Sequence, residues 1–188
     1  MKVLFLDVDG VLNGYPFLET ATNDGNWPIR SPRYAATQVN EECVERLNRV
    51  IAETGAKIVV SSTWRKHYGH REMEYILRAK GFEHRGCVID VTPDHHKAPR
   101  RAKKSIRGEE IQEWLDAHDE VETFVIVDDD GDMDPVKDRW VQTSLFNNGM
   151  QDEEADALIA LLNEADGTQD RDSEVPDPGV QEEPGLAE

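Results

Sequence analysis

Met1-Lys2-Val3-Leu4-Phe5-Leu6-Asp7-Val8-Asp9-Gly10-Val11 opens the chain and decides how the rest is read. Lys2 to Asp7 is a short aliphatic run of the kind a parallel sheet buries on both faces. It ends in two acids separated by one residue. Residues i and i+2 of a strand point to the same side, so Asp7 and Asp9 are expected to face one pocket. Neighbouring carboxylates repel, and burial adds to the cost, so such a pair holds a proton or meets a cation. Three residues thus supply a nucleophile and a proton donor. Gly10 lets the backbone leave the strand sharply.

Lys57 to Ser61 and Thr123 to Asp128 repeat the aliphatic pattern, with weaker versions at Gly86 to Val91 and Arg139 to Ser144. Helical spacing lies between them. Val39 to Thr54 carries Cys43, Val44, Leu47, Val50 and Ile51 at intervals of three and four, with Gly55 as a stop. His70 to Lys80 ends at Gly81 in the same way, and Gly108 to His118 and Asp152 to Glu164 each present one apolar face. Strands alternating with helices predict an α/β fold, a three-layer, Rossmann-like, mainly parallel sheet. Ligands of such sheets sit beyond the carboxyl ends of the strands. Here two of the three best strands end in acids, and the third ends in Ser61-Ser62-Thr63.

Gly14 to Gln38 breaks the alternation. Three prolines, with Tyr15, Phe17, Trp27 and Tyr34 interleaved with Arg30 and Arg33, predict an ordered loop or small lid over the strand ends. No insertion is long enough for a large cap domain. The domain is expected over 1–166, followed by a disordered acidic tail at 167–188, which has no aromatic residue.

Composition removes several classes. The 188 residues carry 39 acids and 21 bases, a formal net charge of -18. No run approaches the about 18 apolar residues of a membrane span. Asp7 interrupts any signal-peptide core. Cys43 and Cys87 lie far apart without metal-ligand spacing, so neither a disulfide scaffold nor a zinc ribbon is expected, and a reducing cytoplasm is the expected compartment. The charge is uneven: residues 151–188 hold 13 acids and one base. His95 to Arg107 holds six Lys or Arg and no acid. That strip suits a phosphate chain or a solvated loop equally well.

Three further clusters can do chemistry. Asp128-Asp129-Asp130-Gly131-Asp132-Met133-Asp134 packs five acids into seven residues, a density that calls for solvent or a hard cation such as Mg²⁺. An EF-hand register fails, since Gly131 at loop position six puts Ile126 at position one and Lys137 at position twelve. Ser61, Ser62 and Arg65 offer hydroxyls and a guanidinium to phosphoryl oxygens. Lys103, Lys104 and Arg107 stand just before a helix. The histidines show no ligand spacing, Trp114 and Trp140 fit core positions, and Trp27 is either a substrate contact or a staple for its loop.

Asp7-Val8-Asp9-Gly10-Val11, Ser61-Ser62, a basic residue before a helix and Val127-Asp128-Asp129 resemble, in order, the four motifs of the haloacid dehalogenase (HAD) superfamily. Ser61-Ser62-Thr63-Trp64-Arg65 and Arg107-Gly108-Glu109-Glu110-Ile111 also look like the small HAD domains associated with RNA-repair proteins. The resemblance implies a HAD-like fold and a Mg²⁺-dependent phosphomonoesterase working through an aspartyl-phosphate. Asp7 would be the nucleophile and Asp9 the acid and base. Asp7, the Asp9 carbonyl and Asp128 would hold Mg²⁺, helped by Asp129 or Asp132. Ser61 or Ser62, and Arg107 or Lys104, would bind phosphate. Trp27 and Arg65 are the candidate substrate contacts.

The substrate implied is a phosphorylated molecule, with a 3′- or 5′-phosphate end of a polynucleotide suiting an uncapped site and the basic strip. Nucleotides and sugar phosphates are the alternative. A receiver-like phospho-acceptor module combines similar residues but carries its phosphorylated Asp on a later strand, whereas here the DxD is on the first. A HAD fold kept only for binding would not need all four motif positions filled. No GxxxxGK[ST] segment is present.

Overall fold

A computed structural model describes residues 1–95 and 107–164. The aliphatic runs form β1 (Lys2–Leu6), β2 (Lys57–Val60), β3 (Val88–Val91), β4 (Thr123–Asp128) and β5 (Trp140–Gln142). They make one sheet in the order β3-β2-β1-β4-β5, with every pairing parallel. The helices are α1 (Phe17–Thr20), α2 (Pro32–Thr37), α3 (Glu41–Thr54), α4 (His70–Arg78), α5 (Arg107–Asp116) and α6 (Asp152–Asn163). The predicted three-layer α/β fold is therefore present.

Alternation along each strand sorts the core. Leu4, Leu6, Ile58, Val60, Val125 and Val127 face α3, α4 and α6, where the larger apolar cluster lies. Val3, Phe5, Val59 and Ile126 face the other way, against α5. Only Ile111 and Trp114 of α5 are buried apolar anchors, Trp114 meeting Phe5 edge-on at 5.4 Å. At about 1.5–3 kcal/mol each, two anchors fix a ten-residue helix weakly, so its polar ties carry weight.

The element ends differ from expectation for local reasons. Gly86 has φ +66°, outside the strand region, so β3 begins at Val88. Arg139 closes a 3-10 turn and the Ser144 side chain caps another, which shortens β5 to three residues. Asn40 accepts the Glu42 N–H at 3.0 Å, which moves the start of α3 past Val39.

Residues 14–38 are ordered, and Ala35 and Ala36 of α2 join the larger core. The segment is thus docked on the sheet domain. Cys43 and Cys87 are free and buried, and burial pushes the Cys43 thiol up to about 11. Among the described residues no helix is long and apolar enough to cross a membrane. The expected tail and Lys97 to Lys104 of the basic strip lie outside the described residues.

Candidate active site

The carboxyl ends of the strands form a row. The ladder continues one residue past β1, β2 and β3, through Asp7 N–H to Val127 O, Ser61 N–H to Leu6 O and Thr92 N–H to Val60 O. Asp7 and Ser61 share the parity of Phe5 and Val59, and Asp128 that of Ile126, so all three belong to the α5 face of the sheet. Arg107, the first residue of α5, comes to the same place.

Its guanidinium Nη1 lies 3.2 Å from Asp7 Oδ2 and 2.5 Å from Asp128 Oδ2. Asp128 also accepts the Asp130 N–H at 2.9 Å, and Asp7 is hydrogen-bonded by the Ser62 hydroxyl and the Val8 N–H. Asp7, Asp128 and Asp129 offer ligand oxygens that all lie within 4.8 Å of one another. Three carboxylates thus face one guanidinium. Desolvation dominates their titration: burial raises Asp7, Asp128 and Asp129, with Asp128 reaching about 8, and the Asp7 charge pushes Asp128 and Asp129 further. Burial acts against the Arg107 charge, but Asp7 and Asp128 outweigh it and raise Arg107. A hard oxygen set with excess negative charge fits Mg²⁺.

Two glycines permit this crowding. Gly10 has φ +74°, and a Cβ there would overlap the Asp129 carboxylate. A Cβ on Gly108 would overlap the backbone of Met133 and Asp134, and its N–H reaches Asp132 O at 3.1 Å. Without that close approach α5 could not bring Arg107 to Asp128.

Asp9 sits apart from the buried set, exposed at the mouth. Trp64 Nε1 donates to its Oδ2 at 2.9 Å and Asn13 Nδ2 to its Oδ1 at 3.1 Å. Asn13 also accepts the Gly10 N–H at 3.0 Å and donates to Gln38 O at 3.0 Å. The carboxylate is therefore aimed by a frame drawn from three segments and remains open to solvent.

The other predicted residues divide. Ser61 Oγ is buried with no hydrogen-bond partner among the described residues, while Ser62 Oγ touches Asp7 and accepts the Trp64 N–H. Asp132 contributes to seating α5, accepting the Arg107 backbone N–H at 3.4 Å, and is not among the three clustered ligands. The expected substrate contact at Arg65 is corrected: its side chain is 3% exposed and is used inside the protein. It donates to Ser61 O and Ser62 O at 2.7 Å, to Thr92 O at 3.2 Å, and to Glu110 at 2.5 Å. Trp27 is half-buried, with Arg33 4.5 Å over its ring and Asn23 bonded to its backbone N–H. Lys104, the rival of Arg107, lies outside the described residues.

Sequence reasoning passed over Asn13, Trp64, Glu110 and Gly108 as site-building residues. Asn13 and Trp64 look like ordinary loop residues, since each reaches Asp9 only through a turn. Glu110 carried one signal, an acid on the inner face of an amphipathic helix, which requires a buried partner.

A family model described as the HAD domain in Swiss Army Knife RNA repair proteins matches residues 3–155. No curated protein matches the chain.

Proposed function

Because the chain belongs to the family of HAD domains in Swiss Army Knife RNA repair proteins, we propose that it is a Mg²⁺-dependent phosphomonoesterase acting on phosphorylated RNA ends. One observation carries the reading: Asp7, buried between Arg107 and the Asp128–Asp129 pair, lies two residues from a solvent-facing Asp9. That pairing separates a desolvated nucleophile from an acid that can exchange protons.

Asp7, Asp128 and Asp129 would hold the ion. When bound, Mg²⁺ lets the anionic carboxylate and the anionic phosphoryl group approach each other. An Asp7 oxygen attacks phosphorus as the bond to the leaving oxygen breaks, and Asp9 gives that oxygen its proton. Asp9, now a carboxylate, takes a proton from water, whose oxygen attacks phosphorus. The bond to Asp7 breaks, and phosphate leaves. Arg107 offsets charge on Asp7 between steps, and Ser62 with the free Ser61 hydroxyl supplies donors to phosphoryl oxygens.

The family description, the absence of a large cap among the described residues and the basic strip in the sequence support a polynucleotide end as substrate. Phosphate release from phosphorylated RNA oligonucleotides in Mg²⁺ is expected for the native chain, and none for Asp7→Asn. Equal release by that variant overturns the reading, while much faster turnover of free nucleotides or sugar phosphates replaces the substrate.

A further inference from the structure

Trp64 has a second surface. Besides donating to Asp9, its ring lines a small cavity of about 170 Å³ with Ile29, Arg30, Tyr34, Gln38 and Tyr68. The cavity joins the 14–38 insertion to the turn after β2, and its lining is mostly apolar. Two of its walls are tied into the Asp9 frame: Trp64 through Nε1 to Asp9 at 2.9 Å, and Gln38 through its carbonyl to Asn13 at 3.0 Å. Tyr68 is 6% exposed and Trp64 meets it at 6.0 Å between ring centroids, so the floor is a fixed aromatic surface. Ile29, by contrast, is 77% exposed on a polar insertion, and Arg30 beside it holds φ +70°. Ile29 thus stands free at the rim, beside a residue in a sparsely populated backbone conformation of the kind that gathers at ligand clamps.

Resting on the phosphatase reading, we propose that this cavity seats the base of the nucleotide whose phosphate is removed. Asp9 protonates the leaving oxygen, so whatever lies beside Asp9 meets the leaving group. The leaving group of a phosphorylated nucleotide is a sugar carrying one planar base. A space well below the roughly 300–1,000 Å³ of pockets for drug-sized ligands suits one ring system. Aromatic walls stack on any base, which gives sequence-tolerant binding. Arg30 at the rim puts a positive charge where a neighbouring phosphate of the chain would pass. The same chemistry serves a free nucleotide and a chain end.

Binding is read on the full chain carrying Asp7→Asn, from the Trp64 indole N–H resonance, assigned by its loss in Trp64→Phe. Nucleoside 3′- and 5′-monophosphates are expected to shift that resonance and to bind about tenfold tighter than ribose 5-phosphate. Ile29→Ala is expected to shrink that ratio to about threefold or less. Phosphorylated oligonucleotides ending in a normal or an abasic residue repeat the comparison, and a larger ratio there than for free nucleotides assigns the cavity to chain ends. Equal binding with and without a base, or an unchanged ratio in Ile29→Ala, overturns the proposal. Since binding is measured without turnover, failure of the phosphatase reading shows separately, as absent phosphate release by the native chain.

Discussion

The Arg65 guanidinium meets the Glu110 carboxylate at 2.5 Å, with side chains 3% and 2% exposed. The pair joins the turn after β2 to the first turn of α5, and Glu110 also accepts the His95 N–H at 2.8 Å. Arg65 satisfies carbonyls at Ser61, Ser62, Thr92 and Pro93 from the same guanidinium. Breaking one partner of a buried pair leaves an uncompensated charge and costs about 3–5 kcal/mol. Glu110→Ala and Arg65→Met are each expected to lose that much in urea unfolding. The double variant is expected to lose clearly less than the sum of the two. Losses under about 0.5 kcal/mol, the range of ordinary surface substitutions, would contradict the clasp.

Arg107 bridges two carboxylates from one guanidinium nitrogen, at 3.2 Å to Asp7 and 2.5 Å to Asp128. Loss of one preorganised charge-stabilising group from an active site costs about 10²–10³ in rate. Arg107→Ala is expected to fall by that factor in kcat for phosphorylated oligonucleotides. Arg107→Lys is expected to recover part of it, since a single ammonium restores the charge without the planar fork. Circular dichroism of both variants should match the native chain, because the Arg65–Glu110 pair and the Gly108 N–H to Asp132 O bond still tie the helix down. A kcat within threefold of native in the alanine variant argues against the role.

Burial raises Asp7 and takes Asp128 from the ordinary 3.8 to about 8. Both groups therefore hold protons more tightly folded than unfolded. Stability from this source is complete below the unfolded value and is lost as pH rises through the folded one. The chain stripped of divalent cations is expected to lose melting temperature between about pH 5 and pH 8.5. A bound cation replaces the proton, so Mg²⁺ should raise the melting temperature more at pH 8.5 than at pH 5.5 and release more protons on binding at pH 5.5 than at pH 8.5. A Mg²⁺ shift independent of pH would place the ion elsewhere.

These effects bear on what sequence alone makes legible. The sheet was readable because β1, β2 and β4 are buried on both faces and so are continuous aliphatic runs, while β5, at the sheet edge and three residues long, blurs into its flanking turns. Asp7 and Asp128 were readable because strand ends of a parallel sheet point to one place, whereas Asp9, expected beside Asp7, lies past the strand end and is exposed, held by Trp64 and Asn13. Arg65 misled because a guanidinium beside hydroxyls looks the same in sequence whether it faces solvent or a ring of carbonyls. Its partner Glu110 is 45 residues away, and no local pattern couples them. Asn13 and Trp64 escaped for the same reason, since their value lies in a turn that brings both to one carboxylate.

Gly10 and Gly55 separate backbone strain from site geometry. Both hold left-handed φ, +74° and +67°. A Cβ on Gly55 meets nothing within 4 Å, whereas one on Gly10 overlaps the Asp129 carboxylate. Alanine in the left-handed region costs roughly 1–2 kcal/mol, so Gly10→Ala and Gly55→Ala should lose similar stability from strain alone in urea unfolding. Only Gly10→Ala must also move Asp129 away from Asp7 and Asp128, which weakens the ligand set. Its Mg²⁺ affinity, measured by calorimetry, is expected to fall about tenfold or more, the effect typical of disturbing a metal-site partner, with Gly55→Ala unchanged. Equal Mg²⁺ affinity in the two variants would remove Asp129 from the metal set and leave Gly10 a turn residue alone.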